Sequence, residues 1–190
     1  MDYYSISVEL ADGSIINVHL RDTCGQERYD SINTNYAKKA DGILLVFDIS
    51  SLNSFKKVKE YYPQLIRDNC KPNIPILLLG NKTDLKDERQ VSIQEAIDLA
   101  VNEEYVYKET SCVNNENVAD AFETIIEMWN INHKKENLYT PQKSLTTVNF
   151  DDESKYSFKL NRIDFALSER DDADDNFFLQ VKKKKKKSCC

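Results

Sequence analysis

The chain has 190 residues, 41% of them hydrophobic and only four each of Gly and Pro, which suits one packed domain plus a tail and excludes low complexity over most of the length. Its net charge is −6; six of the 26 basic residues form the run Lys182 to Lys187, so the remainder sets 20 basic groups against 32 acidic ones. An acidic body of that kind is not a nucleic-acid binder through its general field. Five cysteines, an odd number with two adjacent at the C-terminus, argue against a disulfide framework and for a reducing, cytosolic setting. No apolar run has the length of a membrane span or the form of a signal peptide.

From Tyr4, apolar and polar residues alternate, with Tyr4, Ile6, Val8 and Leu10 on one face of a half-buried strand covering residues 3 to 10. Ala11-Asp12-Gly13 is a hairpin turn of the Asp-Gly kind. Residues 14 to 21 return as a second strand with Ile16, Val18 and Leu20 facing one way. Asp22 to Ile32 reads Asp-Thr-Cys-Gly-Gln-Glu-Arg-Tyr-Asp-Ser-Ile, an acidic strand end followed by a Gly turn and a Gln. Ser31 to Lys39 reads as a short helix.

Residues 42 to 48, Gly-Ile-Leu-Leu-Val-Phe-Asp, form a short continuous apolar run, the pattern of a strand covered on both faces. Residues 53 to 68 carry Phe55, Val58, Tyr62, Leu65 and Ile66 at helical spacing. A second buried strand covers 75 to 81. Ser92 and Glu95 form a capping box for a helix whose Ile93, Ala96, Ile97 and Ala100 are expected to face the core. Tyr105 to Lys108 is a weaker strand. A last amphipathic helix runs from about Glu116 to Asn132 with Val118, Phe122, Ile125, Ile126 and Trp129 on one side.

Strands alternating with helices imply an α/β fold with a mostly parallel sheet and one antiparallel edge hairpin. Ligands in such sheets bind beyond the carboxyl ends of the strands. Four segments leave strands there, beginning at Asp22, Asp48, Asn81 and Thr110. From Lys135 the periodicity stops, and residues 135–190 read as a flexible tail with an acidic block, Glu169 to Asp175. Its Ile163, Phe165, Leu167, Phe177 and Phe178 could dock transiently. Attraction between the acidic block and the lysine run would fold the tail back on itself.

Asn81-Lys82-Thr83-Asp84 follows a buried strand. It resembles the guanine-specificity loop of GTPases. Glu109-Thr110-Ser111-Cys112-Val113 is similar to the second guanine loop, with Cys in place of the usual Ala and Val in place of the usual Lys. The Asp22 to Ile32 stretch resembles the switch II segment of Ras-like small GTPases, and its Gln-Glu-Arg-Tyr is similar to the Rab family. Arg21 stands where Rabs usually carry Trp.

The resemblance, over residues 1 to 134 and the last nine, implies a Ras-like G domain that binds GTP and GDP with Mg²⁺. It implies that Asp84 accepts from the guanine ring N–H and amine, that the Lys82 stem covers the base, and that Asn81 ties the loop. Ser111 and the backbone N–H of Cys112 would meet the guanine edge. Asp22 would hold Mg²⁺ through water, Gly25 would offer its N–H to the γ-phosphate, and Gln26 would orient the hydrolytic water. A carboxylate reader discriminates strongly, because adenine cannot supply the paired donors.

Nowhere does Gly-x-x-x-x-Gly-Lys-Ser/Thr occur, and residues 1 to 10 match the strand that follows switch I in the family. The first strand, phosphate loop and first helix are therefore expected to be missing. That leaves the two strands flanking the central position exposed or paired with each other. Two explanations follow: an incomplete gene model of a working GTPase, or a degenerate, non-hydrolysing member.

Lys182 to Lys187 followed by Ser188-Cys189-Cys190 resembles the Rab tail whose Cys189 and Cys190 equivalents carry geranylgeranyl groups. It is not a C-a-a-X box. A prenylated C-terminus beside a lysine run implies a lipid-anchored protein on the cytoplasmic face of an endomembrane or the plasma membrane, cytosolic when extracted. The implied partners are effectors, an exchange factor, a GTPase-activating protein, and escort and dissociation-inhibitor proteins. A lysine run alone also suits nuclear import or nucleic acid; the adjoining cysteines favour the membrane. Cys70 reads as structural, and His19 and His133 have no metal-ligand spacing.

Overall fold

The computed structural model describes residues 3–23, 30–139 and 176–183. Six strands form one sheet in the order β1-β2-β6-β3-β4-β5. β1 (Tyr3–Glu9) and β2 (Ile15–Thr23) form the expected hairpin. Its turn closes with the Gly13 N–H donating to the Leu10 carbonyl at 2.9 Å, and Gly13 at φ +74° takes the left-handed geometry that Gly adopts without strain. β3 (Gly42–Asp48), β4 (Ile76–Asn81) and β5 (Val106–Glu109) are parallel neighbours. They start at one edge of the sheet, the amino edge, and end at the opposite, carboxyl edge.

Residue parity explains the patterns in the sequence. On β3, Ile43, Leu45 and Phe47 enter a core beneath α2 (Leu52–Glu60), α3 (Tyr62–Asn69) and α4 (Ile93–Asn102). Leu44 enters the opposite core beneath α5 (Val118–Tyr139). Both faces are covered, so the run is continuous. Val8, Leu10, Ile16, Val18 and Leu20 of the hairpin join only the α5 core, so there the sequence alternates. Tyr4, expected on that face, is instead 42% exposed near the strand's outer end.

Three helical expectations change. The span 53 to 68 is two helices, broken at Tyr61, with Pro63 in the first turn of α3, where its missing N–H costs nothing. Phe55, Val58, Tyr62, Leu65 and Ile66 still share one core, so the break preserves the apolar face. In α4 the capping box forms, but Ile93 and Ile97 are 51% and 38% exposed while Leu99 joins Ala96 and Ala100 inside. The buried stripe is rotated toward Leu99 and is too narrow for five apolar residues. Finally, α5 continues to Tyr139; its 22 residues span about 33 Å, from the carboxyl to the amino edge.

The largest departure lies in the tail. Residues 176–183 are not a loose segment; they form β6 (Asn176–Lys183) in the middle of the sheet. β6 pairs antiparallel with β2 from Ile16↔Lys183 to Thr23↔Asn176, and with β3 from Gly42↔Leu179 to Leu44↔Phe177. The two flanking strands are neither exposed nor paired with each other. β6 is held by Asp41, whose N–H donates to the Leu179 carbonyl at 2.7 Å and whose Oδ2 accepts from the Val181 N–H at 2.9 Å. Leu179 is fully buried in the α5 core. Strand direction places Asn176 toward the carboxyl edge and Lys183 at the amino edge, roughly 24 Å apart along an eight-residue strand. The acidic block precedes one end and the lysine run continues from the other, so β6 holds the attachment points of these opposite charges apart.

Candidate functional site

The carboxyl edge brings three loops together. β4 ends at Asn81, and Lys82 turns the chain with φ 68°, ψ 41°, a left-handed conformation that costs a Lys on the order of 1 kcal/mol. A 3-10 helix (Thr83–Glu88) follows and presents Asp84. Two contacts hold the turn: the Thr83 N–H donates to the Thr110 carbonyl at 3.2 Å, and the Lys82 ammonium meets Asp48 Oδ2 at 3.1 Å.

The second loop begins after β5. The Ser111 hydroxyl donates to Asp84 Oδ1 at 2.5 Å, and the Asn114 N–H donates to Ser111 Oγ at 3.1 Å. Asn81 Oδ1 accepts from the Thr110 hydroxyl at 3.2 Å and from the Cys112 thiol at 3.5 Å. Asn115 and Asn117 take positive φ in the same loop, as Asn tolerates. Ser111 and Glu116 pair across its neck, Ser111 N–H to Glu116 O at 3.1 Å and Glu116 N–H to Ser111 O at 2.9 Å. Asn81, Lys82, Asp84, Ser111 and Cys112 are therefore one constellation.

Asp48 supplies the third loop and was not assigned a role from the sequence. Its Oδ1 accepts from the Ser50 N–H at 2.8 Å and the Ser50 hydroxyl at 2.7 Å, leaving Oδ2 for Lys82. Burial opposes its ionisation, yet the Ser50 hydrogen bonds and the Lys82 ammonium hold its carboxyl below the ordinary range. The signal was available: a carboxylate closing a buried strand needs a cation nearby. Glu109 is the other such group. Burial opposes its charge too, but the Arg89 fork at 2.8 and 2.9 Å and the Tyr107 hydroxyl at 2.6 Å lower its carboxyl. Gly80 lies beside this cluster, where a Cβ would stand 2.9 Å from the Tyr107 hydroxyl.

Depressed folded-state carboxyls bind protons less readily than unfolded ones, so their stabilisation is present above about pH 4 and lost as pH falls through the lower folded values. Thermal melting points are expected to drop steadily below pH 4.5. Asp48→Asn with Glu109→Gln will be less stable at pH 7 and show a flatter acid limb; a limb as steep as the parent's would contradict this.

Asp22 lies near the end of β2, apart from the loops that follow Asp48, Asn81 and Thr110. It pairs with Phe177 of β6, which pairs with Leu44, so β6 separates it from β3 and it stands level with Leu44, below Asp48. Its neighbour Arg21 places its guanidinium 4.8 Å from the ring centroid of Tyr36 in α1 (Asp30–Ala37). Gly25, Gln26, Cys189 and Cys190 lie outside the described residues. Among the described residues no group of three or more His, Cys, Asp or Glu could hold a metal ion, and no helix is long and apolar enough to cross a membrane. Asp22 alone is not a metal-ligand set. Cys70 is half-buried, and burial pushes its thiol up to about 11, in keeping with a structural role.

Asp84 with Ser111, and Asn81 with Thr110, join two loops at the end of a mixed, mostly parallel α/β sheet, the architecture of a Ras-like G domain. The Ras family model matches residues 1–130, and the chain belongs to that family. Within it the chain is Rab-like. It is 41% identical over 118 residues to Ras-related protein Rab-27B of Bos taurus, covering 61% of this chain and 54% of that protein. It is 39% identical over 138 residues to Ras-related protein RABA2a of Arabidopsis thaliana, covering 69% and 63%. It is 35% identical over 148 residues to Ras-related protein Rab-11A of Dictyostelium discoideum, covering 74% and 69%. The chain thus spans between about half and two thirds of the length of these curated relatives.

Proposed function

We propose that this Rab-like protein is a lipid-anchored switch protein of vesicle traffic that reads guanine nucleotide through Asn81, Lys82, Asp84, Ser111 and Cys112. The supporting observation is the Ser111 hydroxyl on Asp84, which joins the two loops and aims one carboxylate. An ionised carboxylate has about four acceptor positions, so this bond leaves capacity for the ring N–H and amine of guanine. Asp48 holds Lys82 so that its stem can lie along the base. Asp22 as a water-mediated Mg²⁺ holder, Gly25 as a γ-phosphate donor and Gln26 as the water-orienting residue remain assignments by family resemblance, as does prenylation at Cys189 and Cys190. Effectors, exchange and activating proteins, escort and dissociation-inhibitor proteins are the partner classes that accompany this reading.

A second reading has its own observation. β6 fills the centre of the sheet between β2 and β3. That observation supports a non-hydrolysing interaction protein on a Rab scaffold. Base selectivity tests the shared core of the two readings. Millimolar GMP is expected to shift the amide NMR signals of Asp84, Ser111 and Cys112, while AMP leaves them in place. Asp84→Ala should abolish the difference, and equal shifts with both nucleotides would refute the site.

A further inference from the structure

We propose that the amino edge of the sheet is the surface this protein lays against an anionic lipid membrane, and that β6 fixes it there by shortening the tether. The inference rests on the membrane-anchored reading and adds an orientation to it. Between Tyr139 and Cys190 the chain would be a tether of about 51 residues, with an end-to-end distance near 40 Å if flexible and over 150 Å at full stretch. β6 removes most of that freedom. Its last residue, Lys183, pairs with Ile16 at the start of β2, and seven residues remain to Cys190, a reach of at most about 25 Å. By register the level of Asp48 lies about 33 Å from Lys183, four residues back to Leu179 opposite Gly42 and six more along β3. Lysines 184 to 187 and the two cysteines therefore cannot bring a membrane to the guanine loops while β6 is paired.

The charge around that edge agrees. The turn that leads into β3 exposes Lys38 and Lys39, and the far turns of α5 carry Lys134 and exposed Lys135. Two acids at this edge are already paired, Asp12 with Lys134 at 3.4 Å and Asp41 with Lys71 at 2.6 Å. Glu9 is exposed at the end of β1; at the corner farthest from β6, Glu103 is bridged to Arg67 at 2.8 Å and Glu104 is exposed. At the carboxyl edge Asp84, Asp87, Glu88 and Glu116 outnumber Lys82 and Lys86, and Lys82 is already paired with Asp48, so an anionic surface would be repelled there. Gln180 ties the strand to the lysine turn, its Nε2 donating to the Lys39 carbonyl at 3.1 Å. The membrane-facing lysines and the start of the lysine run thus form one rigid unit, with the base loops facing away.

The test uses the full chain, unlipidated, with vesicles of 70% phosphatidylcholine and 30% phosphatidylserine. Cysteines 24, 70, 112, 189 and 190 are replaced by Ser, and a donor dye is placed through Lys135→Cys or Asp87→Cys. Energy transfer to an acceptor lipid should be strong from position 135 and weak from 87. Lys39→Gln should lower vesicle partition about five-fold, since a lysine near an anionic leaflet contributes about 1 kcal/mol. Inserting 20 Gly-Ser residues after Lys183 leaves the folded part untouched. It should preserve partition through the lysine run, erase the contrast between the two dye positions, and make Lys39→Gln neutral. Equal transfer from both positions without the insertion, or neutrality of Lys39→Gln in the parent, would overturn the orientation. If Lys182 to Lys187 all changed to Gln leave partition unaltered, the membrane reading itself fails, and the orientation with it.

Discussion

Leu179→Ala is expected to lower unfolding free energy by about 4 kcal/mol, a fall of about 2 M in the urea midpoint. Leu179 is 0% exposed and packs in the core of Leu44, Leu77, Phe122, Ile125 and Ile126. Its Cδ2 would lie 3.4 Å from a Cβ built on Gly42, and Ile125 flanks the same spot at 3.2 Å, so little space exists for the site to collapse. Removing three methylene-sized groups therefore costs both transfer energy and a cavity. The neighbouring Gln180 is the control: partly exposed, with a single side-chain bond to the Lys39 carbonyl, it should cost under about 1 kcal/mol when changed to Ala. If both variants melt with the parent, β6 is not in the sheet. The prediction is large because β6 is central: losing it would open an edge on β2 and on β3 together, each a template for aggregation.

That strand shows where sequence reading stops. β3 and β4 were visible because burial on both faces leaves an unbroken apolar run, and β2 because one covered face leaves an alternation. Phe177, Phe178, Leu179 and Val181 also form a short apolar stretch, but it sits between an acidic block and six lysines. Local composition there says solvated chain. The strand exists because β2 and β3 offer a vacant position with its own hydrogen-bonding groups, and that position is defined by residues more than 130 positions away. Pairing of that separation leaves no periodic trace. The break at Tyr61 was hidden for the opposite reason, since both halves keep the same face buried. The base loops were legible because their chemistry is contained in two short segments, while the Asp48–Lys82 pair needed the parallel register of β3 on β4, Asp48 opposite Asn81, to become visible.

The 190-residue chain is expected to bind GDP with a Kd no tighter than tens of micromolar, and guanosine, GDP and GTP within a few-fold of one another. The base loops account for the affinity that remains. Two hydrogen bonds to an ionised carboxylate contribute about 1.5–3 kcal/mol each, so about 5 kcal/mol is available, which corresponds to a Kd near 0.2 mM before the Lys82 stem adds its cover. Among the described residues the phosphates find no comparable set. A Gly-rich loop would supply a row of N–H donors and a Lys, and no such motif occurs in these residues. Asp22, paired with Phe177 at the start of β6, is an acidic group among the described residues on that side of the sheet. Adding phosphates brings negative charge toward negative charge, so each added phosphate should leave affinity flat or weaken it, and raising salt should tighten GTP relative to guanosine by screening that repulsion. Isothermal titration with the three ligands at two salt concentrations reads this directly. A submicromolar Kd for GDP, or a steep gain from guanosine to GDP, would mean that the chain holds phosphates through groups other than those at this edge, and the working-GTPase reading would then prevail over the interaction-protein one.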